Sequence, residues 1–246
     1  VGGSGFLVWG DLVRNKLRWR HYRLQTKVVL VMNLLLVVGG GALFFLFERD
    51  NLGAGRPLRE QVLGALFDAV TPRTAGFNST DTAALSAGSL LLTIIFTIML
   101  MFVGGNPGST AGGIKTTTIF VILLHTFSGV RRQQSANAFG RSIGDSALKR
   151  ATAVLFTNLL LALAGALVIC MVQTLPLQDV LFETFSAIGT AGMTTGITRS
   201  LAPVSRAVII FLMYCGRVGS ISFAVALLEK KALPPVTLPP EEITIG

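Results

Sequence analysis

Three stretches of the chain are long and apolar enough to cross a lipid bilayer. Residues 28–47, 151–172 and 207–228 are mostly apolar, and each is close to the roughly 20 residues that a spanning helix needs. Asn33 is the one strongly polar member of the first run. A further apolar stretch, 90–126, is too long for one span and is broken at 104–115 by glycines and polar residues. Two runs are too short to span: 62–70 and 180–188 each offer only about 14 Å of helix at 1.5 Å per residue. Such segments fit helices that enter the bilayer and turn back. Composition agrees. Of 246 residues 51% are hydrophobic and only 13% charged, against about 25% charged in a soluble domain. A disordered, collagen-like or ordinary cytosolic chain is excluded, and the expected fold is an all-α integral membrane protein.

Charge orients the spans. The net charge of +9 is concentrated beside them. Segment 9–27 carries Arg14, Lys16, Arg18, Arg20, Arg23 and Lys27 against Asp11, and segment 128–150 carries Arg131, Arg132, Arg141, Lys149 and Arg150 against Asp145. Segment 48–60 is balanced. The positive-inside rule puts 9–27 and 128–150 in the cytoplasm and 48–60 outside. Topology therefore accounts for the basic residues, and no nucleic-acid partner is expected. Cys170 and Cys215 lie in apolar runs and are read as buried thiols rather than a disulfide. His21 and His125 have no Cys/His cluster around them, and no catalytic constellation is visible, so neither a metal centre nor an enzyme is expected.

The chain repeats itself. Leu66-Phe67-Asp68 leads to Thr74-Ala75-Gly76, and Leu181-Phe182-Glu183 leads to Thr190-Ala191-Gly192. The offset is 115 residues at the first pair and 116 at the second, so one residue is inserted between. Each copy reads basic loop, span, short helix, T-A-G loop, span. Both start from the cytoplasm, so the repeat is parallel. The predicted unit is span, pore helix, filter loop, span, with 28–127 as one unit whose second span is broken. Residues 151–228 form the other, 128–150 a cytoplasmic linker, and 229–246 a cytoplasmic tail. Residues 1–27 are read as the end of a preceding span plus a basic loop.

The residues that carry chemistry follow from that frame. Backbone that leaves the helix at membrane depth is tolerated only where it lines an aqueous path or is buried in protein. Thr, Ala and Gly keep side chains small, so carbonyls can face an axis, and the negative end of the short helix favours a cation there. Rings of carbonyls can replace the hydration shell of K⁺. The predicted filter is Thr74, Ala75, Gly76 and Phe77 together with Thr190, Ala191, Gly192 and Met193, with a cation held at the two T-A-G triplets. The alternative for a single triplet is an ordinary re-entrant turn. The break GGNPGSTAGGIKT resembles a phosphate loop, but Ile114 stands where that motif needs lysine and no strand precedes it. It is read as an unwound gate comprising Gly104, Gly105, Gly108, Ser109, Thr110, Gly112, Gly113 and Lys115, against the alternative of a static kink. Arg217 is a charge in mid-span, which must face water, a carbonyl or an anion. It either raises a barrier to cations, holds the Gly-rich loop by its carbonyls, or pairs with an acid of another span. Asp68 and Glu183 occupy matched places in the two short helices. They either lend negative charge near the path or hold the helix in place.

The stretches TPRTAGFNSTD (71–81), GGNPGSTAGGIKTTT (104–118), FETFSAIGTAGMTTGIT (182–198) and CGRVG (215–219) resemble the Trk/Ktr/HKT superfamily of K⁺ transporters, and most closely the membrane subunit of Ktr systems. The end PPEEITIG (239–246) resembles that family's C-terminus. The resemblance implies a multi-pass protein of the plasma membrane, the inner membrane of a bacterial cell, that takes up K⁺. A Na⁺ dependence or Na⁺ selectivity is left open, as is the rival reading of a non-transporting anchor or sensor. It implies four pore units per subunit, of which this sequence matches the third and fourth. The chain is accordingly expected to be a fragment, a reading favoured by its apolar start without Met, or else one half of a pore built from two chains. The resemblance further implies a homodimer and a cytoplasmic ring of nucleotide-binding regulatory subunits. One departure is the fourth filter, GTAGM in place of the commoner GTVGL, which keeps the triplet's glycine.

Overall fold

The computed structural model describes residues 2–16, 18–51, 54–77, 95, 98–101, 105–132 and 136–219. Gly104, the end of the last predicted span and the tail 229–246 lie outside the described residues. The helices are α1 (Phe6–Asn15), α2 (Leu24–Glu48), α3 (Leu58–Val70), α4 (Thr116–Val130), α5 (Asp145–Val172), α6 (Leu177–Gly189) and α7 (Pro203–Val218). Of these, α2 and α5 are long and apolar enough to cross a membrane. Both begin before the predicted apolar runs, because polar first turns continue the helix into the basic segments: Gln25, Thr26 and Lys27 in α2, and Ser146, Lys149 and Arg150 in α5.

The two short helices are longer than their apolar runs. Each has thirteen residues, about 20 Å at 1.5 Å per residue. The added turn is polar and follows a proline, Pro57 or Pro176. It places Glu60 or Asp179 in the first turn, where a carboxylate complements the helix dipole. A second difference from an all-helical expectation lies in the basic linker. Ala136–Ala138 (β1) and Arg141–Ile143 (β2) form an antiparallel hairpin in which Ala138 pairs with Arg141. Its two turn residues, Phe139 and Gly140, both have positive φ, 50° and 76°. That is the backbone that matches the twist of a two-residue hairpin. A phenylalanine in the first position hid the turn from a sequence reading, which looks for Asn-Gly or Asp-Gly there. The Phe139 ring is held edge-on by Trp19 at 6.4 Å between centroids.

Packing falls into two parts. Ala162, Ala166 and Ile169 of α5, Val180 and Ile188 of α6, and Ile209 and Leu212 of α7 share one buried cluster, which Ile114 joins. Phe44 of α2, Ala65 and Ala69 of α3, and Leu100 share another. Glycine sets the helix separations. A Cβ on Gly41 would lie 2.7 Å from Leu66 Cδ2, and one on Gly165 would lie 2.7 Å from Leu212 Cδ1. Close approach over small residues is how helices associate where lipid removes the hydrophobic drive. The outward faces stay apolar and exposed: Leu34, Leu35 and Leu46 on α2, and Phe156, Leu167 and Met171 on α5. Helix α4 packs on α2, α5 and β1. Its Thr117 and Val121 border grooves shared with Leu24, Gln25 and Val28 at the start of α2 and with Ser146 and Arg150 at the start of α5.

One carboxylate ties α1 to α2. Asp11, 8% exposed, accepts from the Arg23 amide at 2.9 Å, the Thr26 hydroxyl at 2.8 Å and the Asn15 amide at 3.0 Å. Arg23 is the N-cap of α2, so the acid of one helix satisfies the open amide end of the next. The Arg23 amide above all, then Thr26, the Arg23 charge and Asn15, hold the carboxyl below its ordinary range, against burial, which pushes it up. A depressed folded pKa gives stability that is present above the ordinary carboxyl pKa and is lost as pH falls through the folded value. We predict that Asp11→Asn lowers the thermal midpoint by about 2–4 °C at neutral pH, the size of one lost cap. The gap between variant and wild type should close in acid. An equal gap at all pH values would show that the charge is not what ties the helices.

Candidate functional site

The two T-A-G triplets have the same backbone form. Thr74 and Thr190 have φ of 65° and 53°, and Gly76 and Gly192 have φ of 71° and 80°. A β-branched residue at positive φ is uncommon, and finding it at both matched positions marks a deliberate turn. At each site the alanine amide bonds back to a carbonyl at the end of the short helix. Ala75 N–H reaches Thr71 O at 3.1 Å, and Ala191 N–H reaches Ser186 O at 2.9 Å. The reversal therefore starts from a closed hydrogen-bonded turn, and satisfied amides are what membrane depth demands.

The triplets meet. A Cβ on Gly76 would lie 2.6 Å from the Ala191 carbonyl oxygen, and one on Gly192 would lie 3.9 Å from Gly76 Cα. Residues 116 apart in sequence thus face each other backbone to backbone, with no side chain between. Around them, Met101, Phe182, Ala191 and Met193 form a buried apolar cluster.

The Gly-rich loop lies directly against the second triplet. The Gly112 amide donates to Thr190 Oγ1 at 3.1 Å, and a Cβ on Gly112 would strike the Thr190 side chain. A Cβ on Gly113 would lie 3.1 Å from Gly189 O, while the Gly113 amide donates to Gly216 O at 3.2 Å. Arg217 donates through its guanidinium to the Thr110 carbonyl, and Lys115 donates to the Ala111 carbonyl. The Arg217 contact is of the kind that the loop-holding role needs. Gly105 is packed against Ala111 and Ser109, and Gly108, at φ 73°, accepts the Phe6 amide on its carbonyl at 3.0 Å. Ser109 turns the loop by donating to Asn106 O at 2.6 Å.

Asn106 lies within the GGNPGSTAGGIKT motif but outside the predicted gate residues. It is fully buried. Its side chain donates to Gly3 O at 2.7 Å and to Asn33 Oδ1 at 3.3 Å, and it accepts from the Thr116 hydroxyl. Asn33 Oδ1 also accepts from the Arg73 guanidinium. Arg73 directly precedes the first triplet, so a part-buried polar chain joins that triplet's flank to α2 and the loop. The sequence signal was available in Asn33, the lone polar residue of its span.

The matched acids diverge. Glu183 is 5% exposed and accepts from Thr194 Oγ1 at 2.7 Å and from Thr198 Oγ1. It holds the chain that follows the second triplet. Asp68 instead borders a cavity at the far end of α2 with Glu48, Arg49, Arg56 and Glu60. Among the described residues no group of three His, Cys, Asp or Glu side chains is arranged to hold a metal ion.

Close backbone contact makes Gly216 a test of this packing, because its Cβ would strike the Ile188 carbonyl. Gly216→Ala should destabilise the protein by about 1–3 kcal/mol, the usual cost of forcing volume into a filled site, read as a lower thermal midpoint. A variant as stable as wild type would mean that α6 and α7 are not in backbone contact there.

Comparison with known proteins follows the same lines. The family model described as TrkH, cation transport protein, matches residues 16–234. The chain is 38% identical to the potassium/sodium uptake protein NtpJ of Enterococcus hirae, over all of this chain and 55% of that protein. It is 37% identical to the Ktr system potassium uptake protein B of Bacillus subtilis, over 91% of this chain and 49% of that protein. The crystal structure of the potassium transporter TrkH from Vibrio parahaemolyticus superposes with a TM-score of 0.71 at 16% identity, covering 91% of this chain and 48% of that one. The chain thus spans about half the length of the relatives it matches.

Proposed function

We propose that this chain, which belongs to the TrkH family of cation transport proteins, contributes half of a membrane path for K⁺ in which backbone carbonyls replace the ion's water. The observation that carries the reading is the meeting of two T-A-G backbones of one form, Gly76 against Ala191, with no side chain between. Two such turns arranged about one axis supply carbonyl oxygens from Thr74, Ala75, Gly76, Thr190, Ala191 and Gly192. Such oxygens compensate a dehydrated monovalent cation. The C-terminal ends of α3 and α6 add negative potential at the same place. Each of the two segments then acts as a span, pore helix, filter and span, and the remaining units of the path come from the rest of the protein.

In this reading the loop 105–115 is the gate. It presses on Thr190 and Gly189 from one side, and Arg217 fixes it through the Thr110 carbonyl. Opening requires the loop to leave that contact, and its glycines lower the cost of a new backbone path. The Arg217 charge beneath the triplets also repels a cation while the loop is closed. K⁺ is preferred to Na⁺ as the principal ion because the Bacillus and Vibrio relatives are named for potassium alone, and the Enterococcus relative for potassium with sodium. Control by a cytoplasmic regulatory ring and assembly as a homodimer complete the proposal. The basic segments and the β1–β2 hairpin offer the cytoplasmic face for such a regulator.

Three outcomes are expected from the full-length protein in proteoliposomes, read as rubidium uptake with Na⁺ as competitor. Gly192→Ser should lower preference for K⁺ over Na⁺ by about tenfold, since a side chain at φ 80° costs about 1–2 kcal/mol. Unchanged preference would remove Gly192 from the filter. Arg217→Ala and deletion of residues 108–112 should each raise uptake without regulator. Uptake that stays at the wild-type level would remove the loop from the gate. A folded wild type that takes up no rubidium with its regulatory partner supplied would leave the anchor reading in its place.

A further inference from the structure

Each short helix carries, at its C-cap or in its last turn, a hydroxyl residue that reaches past the triplet. Thr71 is the C-cap of α3, and its Oγ1 donates to Phe77 O at 2.7 Å. Ser186 lies in the last turn of α6, and its Oγ donates to Met193 O at 2.6 Å while accepting the Met193 amide at 3.0 Å. The two hydroxyls are 115 residues apart and their targets 116 apart, the same offsets as the repeat itself. Both are buried, at 2% and 3% exposure. Nothing in the sequence motif marks them, because a threonine before a proline and a serine inside an apolar helix read as ordinary capping and packing.

We propose that Thr71 and Ser186 are positioning residues for the ion path, each closing its triplet into a loop of fixed span. The proposal rests on the reading of the triplets as a filter and deepens it. The argument is geometric. Each backbone carbonyl of residues 74–76 and 190–192 is free to turn only as far as the chain on both sides allows. The Ala75 and Ala191 amides fix the near end of the turn, and the hydroxyls fix the far end. With both ends tied to the same helix terminus, the distance across each triplet is set by the helix and not by the ion. Phe77 and Met193, expected from sequence as filter members, thus present carbonyls already bonded to a hydroxyl. They act as the tethered ends of the loop.

The two tethers differ in strength. Ser186 makes two bonds with one residue, and the chain after Met193 is held again by Glu183 through Thr194 and Thr198. The Thr71 hydroxyl makes one bond. The second triplet is therefore the stiffer of the two, and losing its tether costs more.

The test is rubidium uptake against Na⁺ competition in proteoliposomes of the full-length protein, with thermal midpoints measured in parallel. Losing a hydrogen bond within a buried turn is expected to relax discrimination about threefold, and losing two about tenfold. Ser186→Ala should therefore reduce K⁺ over Na⁺ preference about tenfold and Thr71→Val about threefold. Ser186→Thr and Thr71→Ser should keep the wild-type ratio, because each retains a hydroxyl. The ratio does not depend on how much active protein is present, so a purely structural role would lower uptake without moving it. If Ser186→Ala fails to fold, Thr71→Val decides, being isosteric and losing a single bond. A wild-type ratio in folded Ser186→Ala or Thr71→Val overturns the proposal while leaving the filter reading intact. A wild type with no discrimination at all overturns both.

Discussion

A backbone that abandons the helix inside a bilayer must find partners for its own amides and carbonyls within the protein. Most of this structure answers that constraint. Each triplet returns an alanine amide to its parent helix. The Gly-rich loop finds Thr190, Gly216, Arg217, Lys115 and the Gly3 segment. Apart from Lys115 of the loop itself, these partners come from the segment before α1, the turn after α6 and the end of α7, so irregular segments far apart in sequence converge on one place. The functional reading depends on this convergence: carbonyls are available to an ion only where the amides beside them are otherwise engaged.

Polar residues placed deep in apolar surroundings do the engaging. Asn33 and Asn106 face each other inside the bundle and link Arg73, Thr116 and Gly3. A buried network of this kind costs stability unless every member is satisfied. The side-chain amides of asparagine suit the task, since each offers both a donor and an acceptor. The carboxylates of Asp11 and Glu183 serve in the same way, Glu183 gathering two hydroxyl donors and Asp11 one hydroxyl and a backbone amide from a neighbouring segment. In each case a short side chain holds a segment that apolar packing alone leaves free to slide.

Much of this was legible in the sequence, and what was missed shares one cause. The cores of α2 and α5, the two short helices and the loop at 105–115 all follow from the length of apolar runs and glycine placement, because burial in lipid dictates them directly. The polar first turns of α2, α3, α5 and α6 did not follow, because hydropathy ends a helix where side chains turn polar while the backbone continues into the interface. The β1–β2 hairpin escaped notice because its turn uses Phe139 at positive φ and is held by Trp19 from another segment. The contact of Arg217 with the Thr110 carbonyl, and the separate surroundings of Asp68 and Glu183, depended on what lies opposite in the fold. Spacing along the chain carries no information on that.

The repeat was visible as two triplets, yet the structure shows that like sequences are supported unequally. The second triplet carries a doubly bonded serine, a buried glutamate behind it and the Gly-rich loop against it. The first carries a single threonine bond and leans on α2 through Arg73 and Asn33. Duplication alone makes two equal halves. In the proposed reading, a path that opens from one side needs a fixed wall against which the moving loop closes, and that wall has to be stiff where the loop touches it. The denser support lies around Thr190 and Gly189, the residues that meet Gly112 and Gly113. The asymmetry therefore places rigidity at the point of contact with the loop, and leaves the first triplet to be held by its helix and by the polar chain leading into the same loop.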